Sequence, residues 1–135
     1  MDLVYKRPFQ NSRSLAKFSV LYLEREMAIN ELHRAIDKYK DNAELGYLGP
    51  QKVGTNNYPE TLDMLVEGVK LPGPSGKKMR FLRRIPVDPF TGKAEWGLRS
   101  DQDDPKSQSW GGQCVFDVYS KTMEKAGDGT SYSEW

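Results

Sequence analysis

Ser14-Leu15-Ala16-Lys17-Phe18-Ser19-Val20-Leu21-Tyr22-Leu23-Glu24-Arg25-Glu26-Met27-Ala28-Ile29-Asn30-Glu31-Leu32-His33-Arg34-Ala35-Ile36-Asp37-Lys38-Tyr39-Lys40 contains neither glycine nor proline and is rich in Leu, Glu, Arg, Lys and Ala. That composition predicts one long helix over 14–40, roughly 40 Å at a rise of 1.5 Å per residue. Leu21, Met27 or Ala28, Leu32, Ala35, Ile36 and Tyr39 recur at spacings of three and four, and Glu24, Arg25, Glu31, Arg34, Asp37 and Lys38 fall mostly between them. From Glu24 onward the helix therefore reads as amphipathic, with one face turned to a core. The front half differs, because Phe18, Val20, Leu21, Tyr22 and Leu23 occupy much of the helix circumference. One inward stripe cannot bury them all, and apolar surface left over on a helix is suited to contact with a neighbouring subunit. Phe18, Leu21, Glu24, Arg25 and Arg34 are the candidate interface residues, the charged ones setting the register between copies.

Outward from the helix, residues 41–57 read as loop, interrupted by Gly46, Gly49-Pro50, Gly54 and Asn56-Asn57. A second helix is expected over 58–68: Pro59 suits a first helical turn, Leu62, Leu65 and Val66 form an apolar face, and Gly68 ends it. Pro72-Gly73-Pro74-Ser75-Gly76 breaks the chain again, ahead of Phe81-Leu82 and Arg83-Arg84. Glu95 to Arg99 alternates, and Cys114 to Tyr119 is a compact run of strong β propensity. These two are expected to pair as a hairpin region over 94–120, with 100–112 as its long polar loop. Residues 1–13 read as an extended start and 121–135 as a C-terminal loop carrying Gly127-Asp128-Gly129, Tyr132 and Trp135.

The totals restrict function. A chain of 135 residues with Lys plus Arg at 20 and Asp plus Glu at 19 reads as a single domain, 1–135, with no net field to attract nucleic acid. Cys114 is the only cysteine and His33 the only histidine, so neither a disulfide nor a Cys-rich zinc site is available. A Ser-His-Asp arrangement would rest wholly on His33, which reads instead as a surface residue of the helix. Cys114 opens an apolar strand and reads as a small core residue rather than a nucleophile. Gly111-Gly112 precedes a strand, the reverse of the order that a phosphate-binding loop needs. Asp101-Gln102-Asp103-Asp104 begins like a calcium-binding loop, but Lys106 stands where glycine is required. Arg80, Arg83 and Arg84, with Lys77 and Lys78, form one basic patch, either a solvated link or a face for a partner.

Three motifs then arrive in order behind the long helix. Tyr58-Pro59-Glu60-Thr61-Leu62-Asp63-Met64-Leu65-Val66 resembles the Tyr-Pro-x-x-Leu-x-x-Leu segment of type II secretion pseudopilins. Leu82-Arg83-Arg84-Ile85-Pro86-Val87-Asp88-Pro89-Phe90 resembles their Leu-Pro-x-Asp-Pro-Trp link, and Val115-Phe116-Asp117-Val118-Tyr119-Ser120 their Phe-Asp-aliphatic-Tyr-Ser strand. The chain is thus similar over residues 20–120 to the type IV pilin-like superfamily, and within it to the major pseudopilin. It departs from that pattern where Thr91-Gly92-Lys93-Ala94-Glu95-Trp96 replaces Gly-x-Pro-Tyr-x-Tyr, with Trp96 taking the aromatic position.

The resemblance implies an α+β fold, a long N-terminal helix packed on a small antiparallel sheet, with a short second helix and long loops. It implies a structural subunit rather than an enzyme: a periplasmic domain that self-assembles with identical copies and minor pseudopilins into a filament, alongside inner-membrane proteins of the secretion system. It also implies an apolar anchoring helix in the inner membrane, with a methylated N-terminus, which lies outside this sequence. The family's C-terminal loop binds calcium, a metal that takes about six to eight oxygens. Asp128 and Ser120 are the positions here that correspond, although Gly127-Asp128-Gly129 also reads as a plain turn. No other cofactor is implied. The alternative reading is a periplasmic peptide- or ligand-binding domain that uses the 100–112 loop with Trp96 and Trp110.

Overall fold

A computed structural model describes residues 12–121. The expected long helix is present as α1, Ser12–Glu44, longer at both ends than its apolar repeat indicated. It is followed by α2 (Asp63–Glu67), β1 (Val69–Lys70), β2 (Lys78–Met79), β3 (Gly97–Arg99) and β4 (Asp117–Tyr119). The class is α+β, with α1 lying against β4 and α2. The strands form two separate two-stranded antiparallel sheets, β1-β2 and β3-β4. The first hairpin has no counterpart in the sequence reading: two-residue strands around Pro72–Gly76 are too short to show a period.

The core forms where the second half of α1 meets everything else. Leu32, Ile36 and Tyr39 of α1 are buried with Leu65 of α2, Leu82, Trp96, Val115 and Val118. Trp96 donates its indole N–H to the Pro86 carbonyl at 2.9 Å, so its one polar atom is satisfied inside. Cys114 is fully buried, and burial pushes its thiol up from the ordinary value, in keeping with a packing role.

Two elements are shorter than their sequence patterns, for one shared reason. The N–H of Val115 donates to the carbonyl of Pro59 at 2.7 Å. That bond takes the Pro59 carbonyl away from a helical turn, so α2 starts only at Asp63, with the Thr61 hydroxyl accepting from the Met64 N–H at 3.3 Å. It also draws the chain before Phe116 away from β3. The β3-β4 pairing itself is as expected, Gly97 opposite Tyr119, Leu98 opposite Val118 and Arg99 opposite Asp117. Gly97 is required there, because a Cβ would overlap the Tyr119 ring laid across it. Gly68 ends α2 as expected, at φ 95°.

Candidate assembly surface

The inward face of α1 is buried from Arg25 to Ala43, and the opposite face carries Val20, Leu23 and Met27 at 54, 61 and 68% exposure. These three stand at i, i+3 and i+7, one stripe along the helix. Met27 therefore lies outside, and Ala28 is the half-buried member of that alternative. Nothing local distinguishes the two. The helical phase set by Leu32, Ala35, Ile36 and Tyr39 does so, because extending it back over two turns leaves Met27 facing away.

The candidate interface residues divide between the two faces. Glu24 and Arg34 are exposed, and Leu21 is half-buried. Phe18 is half-buried, its ring 6.4 Å from Tyr22 and 5.7 Å, edge on, from Phe90. Arg25 is a correction. It is 4% exposed and lies inward, its guanidinium 5.1 Å from the Tyr22 ring and 4.9 Å from the Phe90 ring. Arg25 stands seven residues before Leu32, so the helical phase places it inward, and what the helix does not foretell is the cover that Phe90 supplies from the Asp88–Lys93 turn far along the chain.

Alongside the stripe, Arg34 and Lys38 of α1 face Arg83 and Arg84 of the link across a groove of about 1070 Å³, with Glu31 on its wall. The basic patch is thus extended by the helix. Arg80 serves the link itself, donating through Nε to the Val66 carbonyl at 2.7 Å.

His33 is not a free surface residue. Its Nε2 is 2.7 Å from Asp117 Oδ1, and Arg99 Nη1 is 3.8 Å from Asp117 Oδ2, so one carboxylate on β4 ties α1 to β3. That hydrogen bond is the main reason the imidazole titrates above its ordinary value and the Asp117 carboxyl below its own.

Of the two calcium positions, Asp128 lies outside the described residues. The Ser120 hydroxyl donates to the buried Asp88 carboxylate, whose other oxygen accepts from the Phe90 N–H at 2.9 Å. Among the described residues no three His, Cys, Asp or Glu side chains gather in a metal-binding group. Ser120 closes the Asp88 turn here.

The acidic loop is used internally. Asp103 accepts from the N–H groups of Ser100 and Gly111 at 2.8 and 3.0 Å, which bind the two ends of the loop together and hold its carboxyl below the usual value. Asp101 accepts from the Asn56 amide at 2.6 Å. Trp96 is in the core and Trp110 donates to the Cys114 carbonyl at 2.7 Å, so the two tryptophans do not form one exposed binding face.

Compared with protein-family models, curated proteins and solved structures, the chain matches none. The surface must be judged on its own chemistry. No helix among the described residues is long and apolar enough to cross a membrane.

Proposed function

We propose that this chain is a structural subunit of a pilin-like filament, resembling the major pseudopilin of type II secretion, and that its copies meet along the outer stripe of α1. The observation that carries the reading is Val20, Leu23 and Met27, three large apolar side chains in one line on the face that the domain's own core leaves uncovered. Exposed apolar residues scattered singly need no explanation, whereas an aligned set on a long helix is what helix-to-helix packing uses. Glu24 and Arg34 flank the stripe and are exposed, so opposite charges are placed to fix the offset between copies. A contact of one patch with a different patch on the next copy propagates as a helical filament when its rotation does not close into a ring. The order of the Tyr58-Pro59, Asp88-Pro89 and Phe116-Asp117 motifs behind α1 supports the pilin-like form of this reading.

Cysteine crosslinking tests it. With Leu23→Cys or Met27→Cys, oxidation is expected to give covalent dimers at high protein concentration, while Cys at exposed Lys106 on the loop gives few. Leu23→Glu should remove dimers trapped through Met27→Cys. Equal crosslinking yields at the stripe and at Lys106 would count against the proposal. The native Cys114 is buried and does not interfere.

A further inference from the structure

Four exposed cations line one cleft. Arg34 and Lys38 stand one turn apart on α1, and Arg83 and Arg84 are consecutive on the link opposite, far along the chain. None of the four side chains forms an ion pair or a hydrogen bond with a described residue; Arg83 is engaged only through its carbonyl, which accepts from Arg80 Nη2 at 3.3 Å. Among the described residues that line the cleft, Glu31 is the one acid. Exposed charges on a single segment are ordinary solvated surface, whereas cations presented from two distant segments to one volume leave a positive potential inside it. The same walls carry Ala35, Leu82, Pro86 and Val87, so apolar contact is available beside the charges. The cleft of about 1070 Å³ continues along α1 into a hollow of about 350 Å³ lined by Met27 and Ala28, the two sharing Glu31 and Arg34. Together they exceed what a small ligand fills.

We propose that this cleft docks an acidic peptide segment of a partner protein, whose carboxylates meet Arg34, Lys38, Arg83 and Arg84 and whose apolar side chains lie on the walls between them. Three of the four cations are arginines, whose planar fork matches a carboxylate through two parallel bonds. Arginine clusters of this kind are how acidic motifs are read. Other anions fit less well. A bilayer is flat, and cations on facing walls of a cleft do not reach it together. Single-stranded nucleic acid stacks its bases on free aromatic faces, and Phe81, the ring that lines the cleft, is half-buried and lies 5.4 Å from the Tyr39 ring. The chain's own acidic run is already engaged. Asp101 accepts from Asn56, Asp103 from Ser100 and Gly111, and Asp104 from the Lys106 N–H, which points to another protein as the source of the acids.

Fluorescence anisotropy of the full chain tests it, with a labelled peptide alternating glutamate and leucine against the same peptide carrying glutamine for glutamate. Protein concentrations are kept where sedimentation shows single chains, and the variants stand on the link, so the result does not rest on the filament reading. Only the acidic peptide should bind, and added salt should weaken it. Arg83→Glu with Arg84→Glu should weaken binding about tenfold. Lys17→Glu with Lys106→Glu makes the same change of net charge at exposed sites elsewhere and should leave binding nearly as it was. A reading that needs no variant comes from the wild-type amide resonances: those of 34–38 and 82–87 should shift and saturate with the acidic peptide, and those of 101–107 should not. Equal binding of the two peptides, equal loss in the two double variants, or shifts confined to other segments would overturn the proposal. So would phosphatidylserine vesicles or an oligothymidine that bind through Arg83 and Arg84 more tightly than the peptide. Oligomers at high concentration that dissolve on Arg83→Glu with Arg84→Glu, without peptide binding in wild type, would overturn it too and assign the cleft to a second copy.

Discussion

His33 and Asp117 lie 84 residues apart in sequence and 2.7 Å apart in space. Their titration gives the pair a definite pH window. The Asp117 hydrogen bond raises His33 above 6.5, so its contribution is fully present below that pH and is lost as pH rises through the raised value. The His33 hydrogen bond lowers Asp117 below 3.8, so its contribution is present above that pH and is lost as pH falls through the lowered value. The pair therefore stabilises most between those two limits. The His33 side chain is 40% exposed, and solvent screening keeps the effect on the order of 0.5 kcal/mol. Urea unfolding should show stability falling by that amount from pH 6 to about pH 8, with the fall absent in His33→Gln. Asp88 acts at the same scale: fully buried, it accepts from the Phe90 N–H two residues on, a local turn bond, and from the Ser120 hydroxyl, a bond that no local sequence shows.

α1 is one element with two opposed faces, and substitutions should separate them. Ile36 is fully buried in the core cluster, so Ile36→Ala should cost about 3 kcal/mol in urea unfolding through lost burial and the cavity left behind. Leu23, on the outer stripe at 61% exposure, should cost the isolated domain less than about 0.5 kcal/mol when changed to alanine. A large loss from Leu23→Ala would mean that the stripe is covered within the single chain. The spacing of Leu32, Ala35, Ile36 and Tyr39 made the inward face legible in advance. The same spacing carried back toward the N-terminus puts Ala28 and Arg25 inward and Met27 outward, whereas nothing in it shows that a ring from a turn some 60 residues away in sequence closes over Arg25. α2 was misjudged in length for a similar reason, because the Pro59 carbonyl is spent on Val115.

Across the whole molecule, buried contacts concentrate at one end of α1. Among its described side chains Arg25 is the first that is buried, and the aliphatic core begins at Leu32. Amide exchange should follow that gradient, with protection over 32–43 exceeding that over 16–24 on the order of 100-fold. Filament contacts would raise protection in the front half selectively, so the same measurement at high protein concentration also examines the proposed assembly. Sequence alone determined the long helix, the inward periodicity of its second half, the excess of apolar residues in its first half, and that the 95–99 run pairs with the 114–119 run, which it does over Gly97–Arg99 and Asp117–Tyr119. Each of these is written in local spacing and propensity, which act over a few residues. Tertiary structure alone decided that His33 meets Asp117, that Phe90 closes over Arg25, that Ser120 bonds Asp88, and that Trp96 is buried in the core instead of joining Trp110 beside the loop. Those outcomes depend on which distant segments share a volume, and a local pattern carries no record of that.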